Sequence, residues 1–219
     1  MNLQNHHRRS IRLKGYDYTQ PGAYFVTVCS YQREEIFGEI SNDGMRLSSI
    51  GKIVQTEWFH SAEIRKEIRL FEDEFVVMPN HIHGIVWIVE NEIVGADGVR
   101  PVVRPVVRPV VRPDGARLEG IRPDGARPIR NEGACHGPLR RAPRSLSSFI
   151  AGYKAAVTSR AGRELNAANI WQRNYYEHIV RNENELKNFW NYIDTNPLRW
   201  EKDQLYPAAL PNQFNQDTP

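Results

Sequence analysis

One stretch decides the fold of this chain: Phe75-Val76-Val77-Met78-Pro79-Asn80-His81-Ile82-His83-Gly84-Ile85-Val86-Trp87-Ile88-Val89. Its β-branched and aromatic residues predict a buried strand from His81 to Val89, preceded by another strand from Ile68 to Met78. Pro79-Asn80 lies between them, which indicates an antiparallel pair joined by a very short connection. Because residues two apart in a strand share a face, both histidines are expected to leave the sheet on the same side.

The paired histidines have two interpretations. Two neutral imidazoles on one side of a rigid strand make a natural pair of ligands for a divalent cation. They can equally be ordinary hydrogen-bonded residues of the core or its rim. The break at Pro79-Asn80 favours a position that a ligand can reach, and Gly84 predicts the close approach of another backbone or of a phosphate. The pattern predicts a metal site and leaves the structural alternative open.

Composition indicates a soluble globular protein with one sizeable core, because 40% of the residues are hydrophobic and 25% are charged. Cys29 and Cys135 are far apart, so no disulfide framework is expected, and the reducing cytoplasm is the expected location. No stretch approaches the roughly 18 apolar residues of a membrane span, so no membrane partner is expected. The net charge of +3 reflects eleven arginines against five acidic residues between positions 95 and 144, and it does not indicate a basic core.

A low-complexity segment is predicted to interrupt the chain from residue 91 to 143. Valine, arginine and proline repeat in four-residue units from 99 to 113, and Arg-Pro-Asp-Gly-Ala-Arg occurs at 112–117 and again at 122–127. Proline at every fourth position forbids a helix, so this Arg/Pro-rich segment is expected to be a flexible insertion. Its arginines could contact phosphates nonspecifically, although a solvated linker without a role is the favoured interpretation.

The residues on either side of the insertion, 1–90 and 144–205, are expected to form one domain, followed by a C-terminal tail at 206–219. Short strands mixed with helices indicate an α+β sandwich with the helices on one side of a sheet. The remaining predicted elements are a strand at Ala23–Tyr31, a hairpin of Phe37–Ile40 with Met45–Leu47, helices at Ser49–Ile64 and Ser145–Gly162, an extended segment at Ile170–Val180, and a helix at Glu183–Thr195 capped by Asn182.

The last predicted helix carries a second pair of candidate residues. Tyr192 and Asn196 are four residues apart and therefore share one face, beside the apolar stripe of the helix. A tyrosine in such a place is commonly a core residue, and an asparagine before Pro197 is commonly a helix terminator. Spacing alone leaves a chemical and a structural role open for both.

Five motifs follow one another along the chain. They are Arg8-Arg9 through Phe37-Gly38-Glu39-Ile40, Gly51-Lys52-Ile53-Val54 with Trp58, Met78-Pro79-Asn80-His81-Ile82-His83-Gly84, Trp171-Gln172-Arg173-Asn174-Tyr175-Tyr176-Glu177-His178, and Tyr192-Ile193-Asp194-Thr195-Asn196-Pro197. Their order and spacing resemble the REP-associated tyrosine transposases, a group within the single-tyrosine HUH transposases of small bacterial insertion sequences. The resemblance implies a ferredoxin-like antiparallel sheet with helices packed on it and with the His-hydrophobe-His motif on a central strand.

The resemblance also implies roles for individual residues. His81 and His83 would be metal ligands, Tyr192 the nucleophile, and Asn196 the third metal ligand. Mg²⁺ or Mn²⁺ would polarise the scissile phosphate as a Lewis acid. Attack by the tyrosine would leave a 5′-phosphotyrosine link and a free 3′-hydroxyl, which allows strand transfer without ATP.

Residues of the fourth motif compete for these roles. Tyr175 and Tyr176 are alternative nucleophiles, although motif position favours Tyr192. Glu177 and His178 either support the site from outside the ligand set or are structural residues of a sheet edge.

The resemblance implies single-stranded or hairpin DNA as the partner, bound by a monomer or a homodimer. Six basic residues are expected to contact the DNA phosphates: Arg8, Arg9, Arg12, Lys14, Arg173 and Arg181. Two other functions stay open. A catalytically idle, domesticated protein would bind DNA hairpins without cutting them. A metal-dependent hydrolase would use water and form no protein–DNA adduct, but the pattern lacks the extra carboxylates and histidines typical of such enzymes.

Overall fold

A computed structural model describes residues 16–41, 44–90 and 142–209. The predictions for Arg8, Arg9, Arg12 and Lys14, for nearly all of the insertion and for the tail beyond residue 209 fall outside these ranges. The described chain is an antiparallel sheet with helices packed on it, which confirms the predicted α+β class. The ferredoxin-like topology and the domain boundaries stay predictions.

Two groups of three strands and one single strand are separated by helices along the described chain. The strands are β1 at Gly22–Cys29, β2 at Gly38–Ser41, β3 at Gly44–Leu47, β4 at Ile68–Arg69, β5 at Phe75–Val77, β6 at His81–Ile88 and β7 at Tyr176–Val180. The helices are α1 at Ser49–Ile64, α2 at Leu146–Leu165 and α3 at Glu183–Thr195, and short 3₁₀ turns lie at Tyr31–Arg33, Glu72–Glu74 and Pro197–Lys202. None of the described helices has the length and apolar character needed to cross a membrane.

Strand β6 lies in the middle of the main sheet. It pairs with β1 along its full length, from Ile88 opposite Gly22 to His81 opposite Cys29, and β7 pairs with the other edge of β1. The remaining edge of β6 pairs with both β4 and β5. All of these pairings are antiparallel. Because β7 follows residues 91–141 and the other strands precede them, segments on both sides of the insertion contribute to one sheet.

The predicted strand from Ile68 to Met78 is wrong in its middle. The 3₁₀ turn Glu72–Glu74 separates β4 from β5, because three consecutive acidic residues have low strand propensity. Glu74 is nevertheless buried. The short connection at Pro79-Asn80 is confirmed, since the Met78 N–H donates to the His81 carbonyl at 2.8 Å and β6 begins at once. The extended segment Ile170–Val180 is a regular strand only from Tyr176 onward.

Alternation along β1 and β6 creates two apolar layers. Even-numbered residues of both strands pack with helices α1 and α2, and the largest side chain of that layer is Trp58. Odd-numbered residues, among them Phe25 and Trp87, pack with α3. Helices therefore cover both faces of the sheet, and the prediction that they lie on one side is wrong. The reason is that the apolar stripe of α3 needs a surface that α1 and α2 have not already covered.

Helix α3 begins and ends where the sequence predicted. Asn182 Oδ1 accepts a hydrogen bond from the Glu185 N–H at 2.9 Å, which caps the first turn. At the other end Pro197 starts the 3₁₀ turn Pro197–Lys202, which reverses the chain. This reversal brings Asp203 back to Asn196 beside the sheet.

Candidate active site

The two histidines of β6 lie side by side on the face that α3 covers. His81 is fully buried, His83 is nearly so, and their Nε2 atoms are 2.9 Å apart. Desolvation lowers the pKa of His81 to about 3. The pKa of His83 is also lowered, first by burial and then by His81, against an opposing effect of Asp203. Both imidazoles are therefore neutral at physiological pH, which is the ligand form of histidine.

Asn80 fixes which nitrogen of His81 carries the proton. The Asn80 amide Nδ2 donates to the Leu205 carbonyl at 2.8 Å, so its Oδ1 is the atom that faces His81 Nδ1 at 2.7 Å. Because an amide oxygen only accepts, the proton of the neutral His81 ring is on Nδ1. His81 thus directs an unprotonated Nε2 into the cluster, held by a partner outside the ligand set.

His83 can adopt either tautomer without losing its support. Its Nδ1 lies 2.8 Å from Thr27 Oγ1, and a hydroxyl both donates and accepts. When the proton is on Nε2, His83 donates to His81 Nε2 and Thr27 donates to His83 Nδ1. When the proton is on Nδ1, His83 donates to Thr27, and the lone pairs of both Nε2 atoms are available. Thr27 therefore allows the pair to change from a hydrogen bond to a pair of ligands.

A buried carboxylate that the sequence prediction missed completes the cluster. Asp203 follows the 3₁₀ turn Pro197–Lys202, and one ligand atom each from His81, His83 and Asp203 lie within 4.8 Å of one another. Asp203 Oδ1 accepts from the Leu205 N–H at 2.7 Å, which orients the group. No motif marks this aspartate in the sequence. The available signal was its position seven residues after Asn196, within reach of a reversed chain.

Tyr192 of α3 and Asn196, which follows the helix, both donate to the other oxygen of this carboxylate. The Tyr192 hydroxyl and Asn196 Nδ2 are each 3.1 Å from Asp203 Oδ2. The ring centres of Tyr192 and His83 are 4.9 Å apart. The structure therefore brings His81, His83, Tyr192 and Asn196 together, while their roles in catalysis and metal binding stay predictions.

Tyr192 is held as a protonated phenol at the edge of the cluster. Burial raises its pKa, and so do the charge of Asp203 and the hydrogen bond to it, while a hydrogen bond with Asn196 opposes the increase. The residue is still 41% exposed. Phe25 lies edge-on to the tyrosine ring and stacks on both Phe189 and His83, so aromatic packing supports its inner side.

The residues present fit a divalent cation. Asn196 Oδ1 is buried and has no hydrogen-bond partner within the described chain, which costs about 1–3 kcal/mol unless another group contacts it. Two imidazole nitrogens, a carboxylate and an amide oxygen are a donor set that suits a divalent metal. The 2.9 Å between the Nε2 atoms is close to the spacing of roughly 3 Å for neighbouring ligands held about 2.1 Å from one octahedral ion.

The two predicted DNA-contacting arginines within the described chain lie at opposite ends of β1. Arg173 is exposed and lies beside Gln172, whose N–H donates to the Cys29 carbonyl, at the same end of β1 as His81. Arg181 follows β7 at the opposite end, where Val180 pairs with Ala23. Their contacts with DNA stay predictions.

The alternative residues of the fourth motif belong to the sheet and its edge. Tyr176 pairs with Thr27 across β1 and β7, and Glu177 is buried in β7. His178 Nε2 is 3.3 Å from a Glu185 oxygen, and its ring packs on Phe189.

The predicted close approach at Gly84 is confirmed, but the neighbour is different. A Cβ built on Gly84 would lie 2.5 Å from the Trp58 ring of α1. The glycine therefore makes room for an indole on the face away from the histidines. The phosphate that the sequence suggested as an alternative is excluded on this side, because the ring fills the space.

Comparison with known proteins gives one close relative. No protein-family model matches the chain. A protein of Haemophilus influenzae described as uncharacterized is 36% identical over 201 residues, which cover 92% of this chain and 94% of that protein. The chain belongs to the family of that protein. The description of this relative states no activity.

Two solved structures are similar at a lower level. One is a REP-associated tyrosine transposase bound to a REP hairpin, with a TM-score of 0.47, 17% identity and 95% coverage of both chains. The other is a crystal structure of a candidate transposase from Deinococcus radiodurans, with a TM-score of 0.39 and 12% identity over 84% of this chain and 95% of the other. Both are described as transposases, the class of protein that the sequence motifs resemble. At these TM-scores, neither similarity assigns a function to this chain.

Proposed function

We propose that this protein cleaves single-stranded DNA at hairpin sequences and transfers the cut strand through a covalent phosphotyrosine, with the aid of Mg²⁺ or Mn²⁺. One observation carries the proposal: the Tyr192 hydroxyl donates to a carboxylate that lies within ligand distance of two neutral histidines. A phenol, a proton acceptor and a cation site at one place are the components needed for attack on a phosphodiester. The motif resemblance supplies the DNA hairpin as substrate.

The proposed roles follow from the donors and acceptors of the cluster. His81 and His83 would hold the cation through Nε2, together with Asp203 and the oxygen of Asn196. The cation would supply Lewis acidity at the scissile phosphate. The other contributions come from the chain itself, which holds the phenol beside a carboxylate and keeps both imidazoles neutral.

The reaction balances as a transesterification. The Tyr192 oxygen forms a bond to phosphorus as its proton passes to Asp203 Oδ2, the atom to which it already donates. The bond between phosphorus and the 3′ oxygen breaks, and this oxygen takes a proton from solvent. The product is a 5′-phosphotyrosine and a free 3′-hydroxyl. Attack by the same or another 3′-hydroxyl on the phosphotyrosine reverses the exchange and transfers the strand.

The test is a search for an SDS-resistant adduct. Purified protein would be mixed with single-stranded DNA that carries candidate hairpins from the flanks of its own gene, in the presence of Mn²⁺ or Mg²⁺. We expect an adduct that disappears in Tyr192→Phe and on chelation of the metal. Tyr175→Phe and Tyr176→Phe are the matched controls, and both should retain the adduct.

The contrary outcomes identify the alternatives. Hairpin binding without an adduct would point to a catalytically idle DNA-binding protein. Turnover without an adduct, unaffected by Tyr192→Phe, would point to a hydrolase that uses water.

A further inference from the structure

A buried carboxyl group joins the nucleophile helix to the histidine strand. Glu74 is fully buried in the 3₁₀ turn Glu72–Glu74. Its Oε2 accepts from the Trp87 indole N–H at 2.6 Å, and its Oε1 accepts from the Trp190 indole N–H at 2.9 Å. One side chain thus bridges two tryptophans from different elements.

The two tryptophans belong to the elements that carry the candidate site. Trp87 is on β6 with its side chain on the same face as His83, four residues earlier. Trp190 is on α3, two residues before Tyr192. Glu74 therefore bonds both to the strand that carries His83 and to the helix that carries Tyr192.

Apolar packing alone does not fix the exact position of α3 on the sheet. Leu186 and Ile193 are the buried residues of this helix within the described chain, Phe189 and Trp190 are partly buried, and Tyr192 is 41% exposed. Hydrophobic burial is not directional, so a helix can slide or rotate on an apolar surface at small cost. A hydrogen bond from an indole N–H has defined length and direction, and an indole has no other polar atom with which to replace it.

We propose that Glu74 is a positioning residue: it fixes α3 on the sheet so that the Tyr192 hydroxyl is held at the histidine cluster. This positioning role rests on the proposed function, because its kinetic consequence is a change in the rate of adduct formation. Glu74 itself bonds the two indoles and acts on the reaction through Tyr192. A displacement of about 1 Å at a reacting group can slow chemistry by about 100-fold, so a small shift of α3 is sufficient to be measured.

The kinetic test compares Glu74→Gln with wild type in single turnover, at saturating hairpin DNA and Mn²⁺. Glutamine keeps one acceptor oxygen and turns its amide NH₂ toward the other indole N–H, which breaks one bond of the bridge. We expect adduct formation to slow by about 10- to 100-fold, with unchanged affinity for the hairpin and for Mn²⁺. Tyr153→Phe is the matched control, because it removes a buried hydrogen bond, from the Tyr153 hydroxyl to the Val54 carbonyl at 3.0 Å, on the opposite face.

A double variant separates positioning from stability. Trp190→Phe in the Glu74→Gln background removes the indole N–H that would face the glutamine NH₂, where two donors meet without an acceptor. The free energy of unfolding should then recover while the rate of adduct formation stays low. Recovery of the rate together with stability would overturn the proposal, and so would an equal loss of rate in Tyr153→Phe.

A spectroscopic readout decides the proposal even if wild type forms no adduct, in which case the proposed function fails by itself. With 3-fluorotyrosine at position 192, we expect one ¹⁹F resonance that Glu74→Gln shifts or broadens and Tyr153→Phe leaves unchanged. An identical resonance in all three proteins would overturn the positioning role.

Discussion

Asn80 shows how one side chain sets the chemistry of another without belonging to the ligand set. It holds the proton of His81 on Nδ1 and is itself oriented by the Leu205 carbonyl. Thr27 supports His83 in a less restrictive way, since its hydroxyl accepts either tautomer. At the residue scale, the position of the ring proton is therefore fixed at His81 and variable at His83.

Replacing Asn80 should weaken metal binding. Asn80→Ala removes the acceptor at His81 Nδ1, so the ring is no longer held with its Nε2 lone pair facing the cluster, and we expect the Mn²⁺ affinity to fall by about 10- to 100-fold. Titration calorimetry on the folded variant measures this effect. Thr27→Ser is the control, because it keeps the hydroxyl and should bind Mn²⁺ like wild type. An Asn80→Ala protein with wild-type affinity would show that the tautomer of His81 is fixed by something else.

At the scale of elements, alanine is expected to have opposite effects on stability at two glycines. One lies in the close contact between β6 and α1, and the other lies in α2. Gly84→Ala would bring a methyl group to within 2.5 Å of the Trp58 ring, and overpacking of this kind destabilises by about 1–3 kcal/mol. Gly152→Ala in α2 meets only an Arg65 side-chain nitrogen at 4.0 Å, and alanine should stabilise the helix by about 0.5–1 kcal/mol. Urea denaturation measures both changes. Equal effects of the two substitutions would contradict the packing described for Trp58.

The same elements show what a sequence can reveal. The run of β-branched and aromatic residues and the proline at position 79 were sufficient to predict β6, and the alternation of side chains in any strand then gave the shared face of its histidines. Spacing in α3, with its asparagine cap and Pro197, placed Tyr192 and Asn196 on one face. These features are local, and local patterns are the part of folding that propensity and periodicity describe.

Other features depend on contacts between distant residues. The bridge from Glu74 to Trp190 and the bond from Asn80 to Leu205 leave no repeating pattern in the chain. The break in the strand Ile68–Met78 did have a local signal, the three consecutive acidic residues, but the burial of Glu74 against two indole N–H groups depends on distant contacts. Asp203 was missed since an isolated aspartate resembles a surface residue until the chain reversal after Pro197 is known.

At the scale of the whole molecule, metal binding should raise stability, because the cluster exists only in the folded state. A cation present at about 100 times its dissociation constant contributes about 2.7 kcal/mol, which corresponds to an increase in Tm of about 5–10 °C for a protein of this size. Differential scanning calorimetry with Mn²⁺ and with chelator measures the shift.

Two variants test whether the increase in Tm comes from metal binding at the cluster. Tyr192→Phe should keep the full increase in Tm, since the phenol is not a proposed ligand. Asp203→Asn should lose most of the increase, because it removes the charge and one strong ligand. A full increase in Tm for Asp203→Asn would show that the cation binds at another site.

The position of Asp203 in the chain has a consequence for synthesis. His81 and His83 emerge from the ribosome with the early strands, whereas the carboxylate that joins them is encoded far downstream. Long-range contacts of this kind form late, after the intervening chain has been made. A nascent or prematurely terminated chain that stops before Asp203 has its histidines but lacks the group to which Tyr192 donates. The proposed cleavage therefore requires that the chain has been synthesised at least through Asp203, so the nucleophile helix alone is not sufficient.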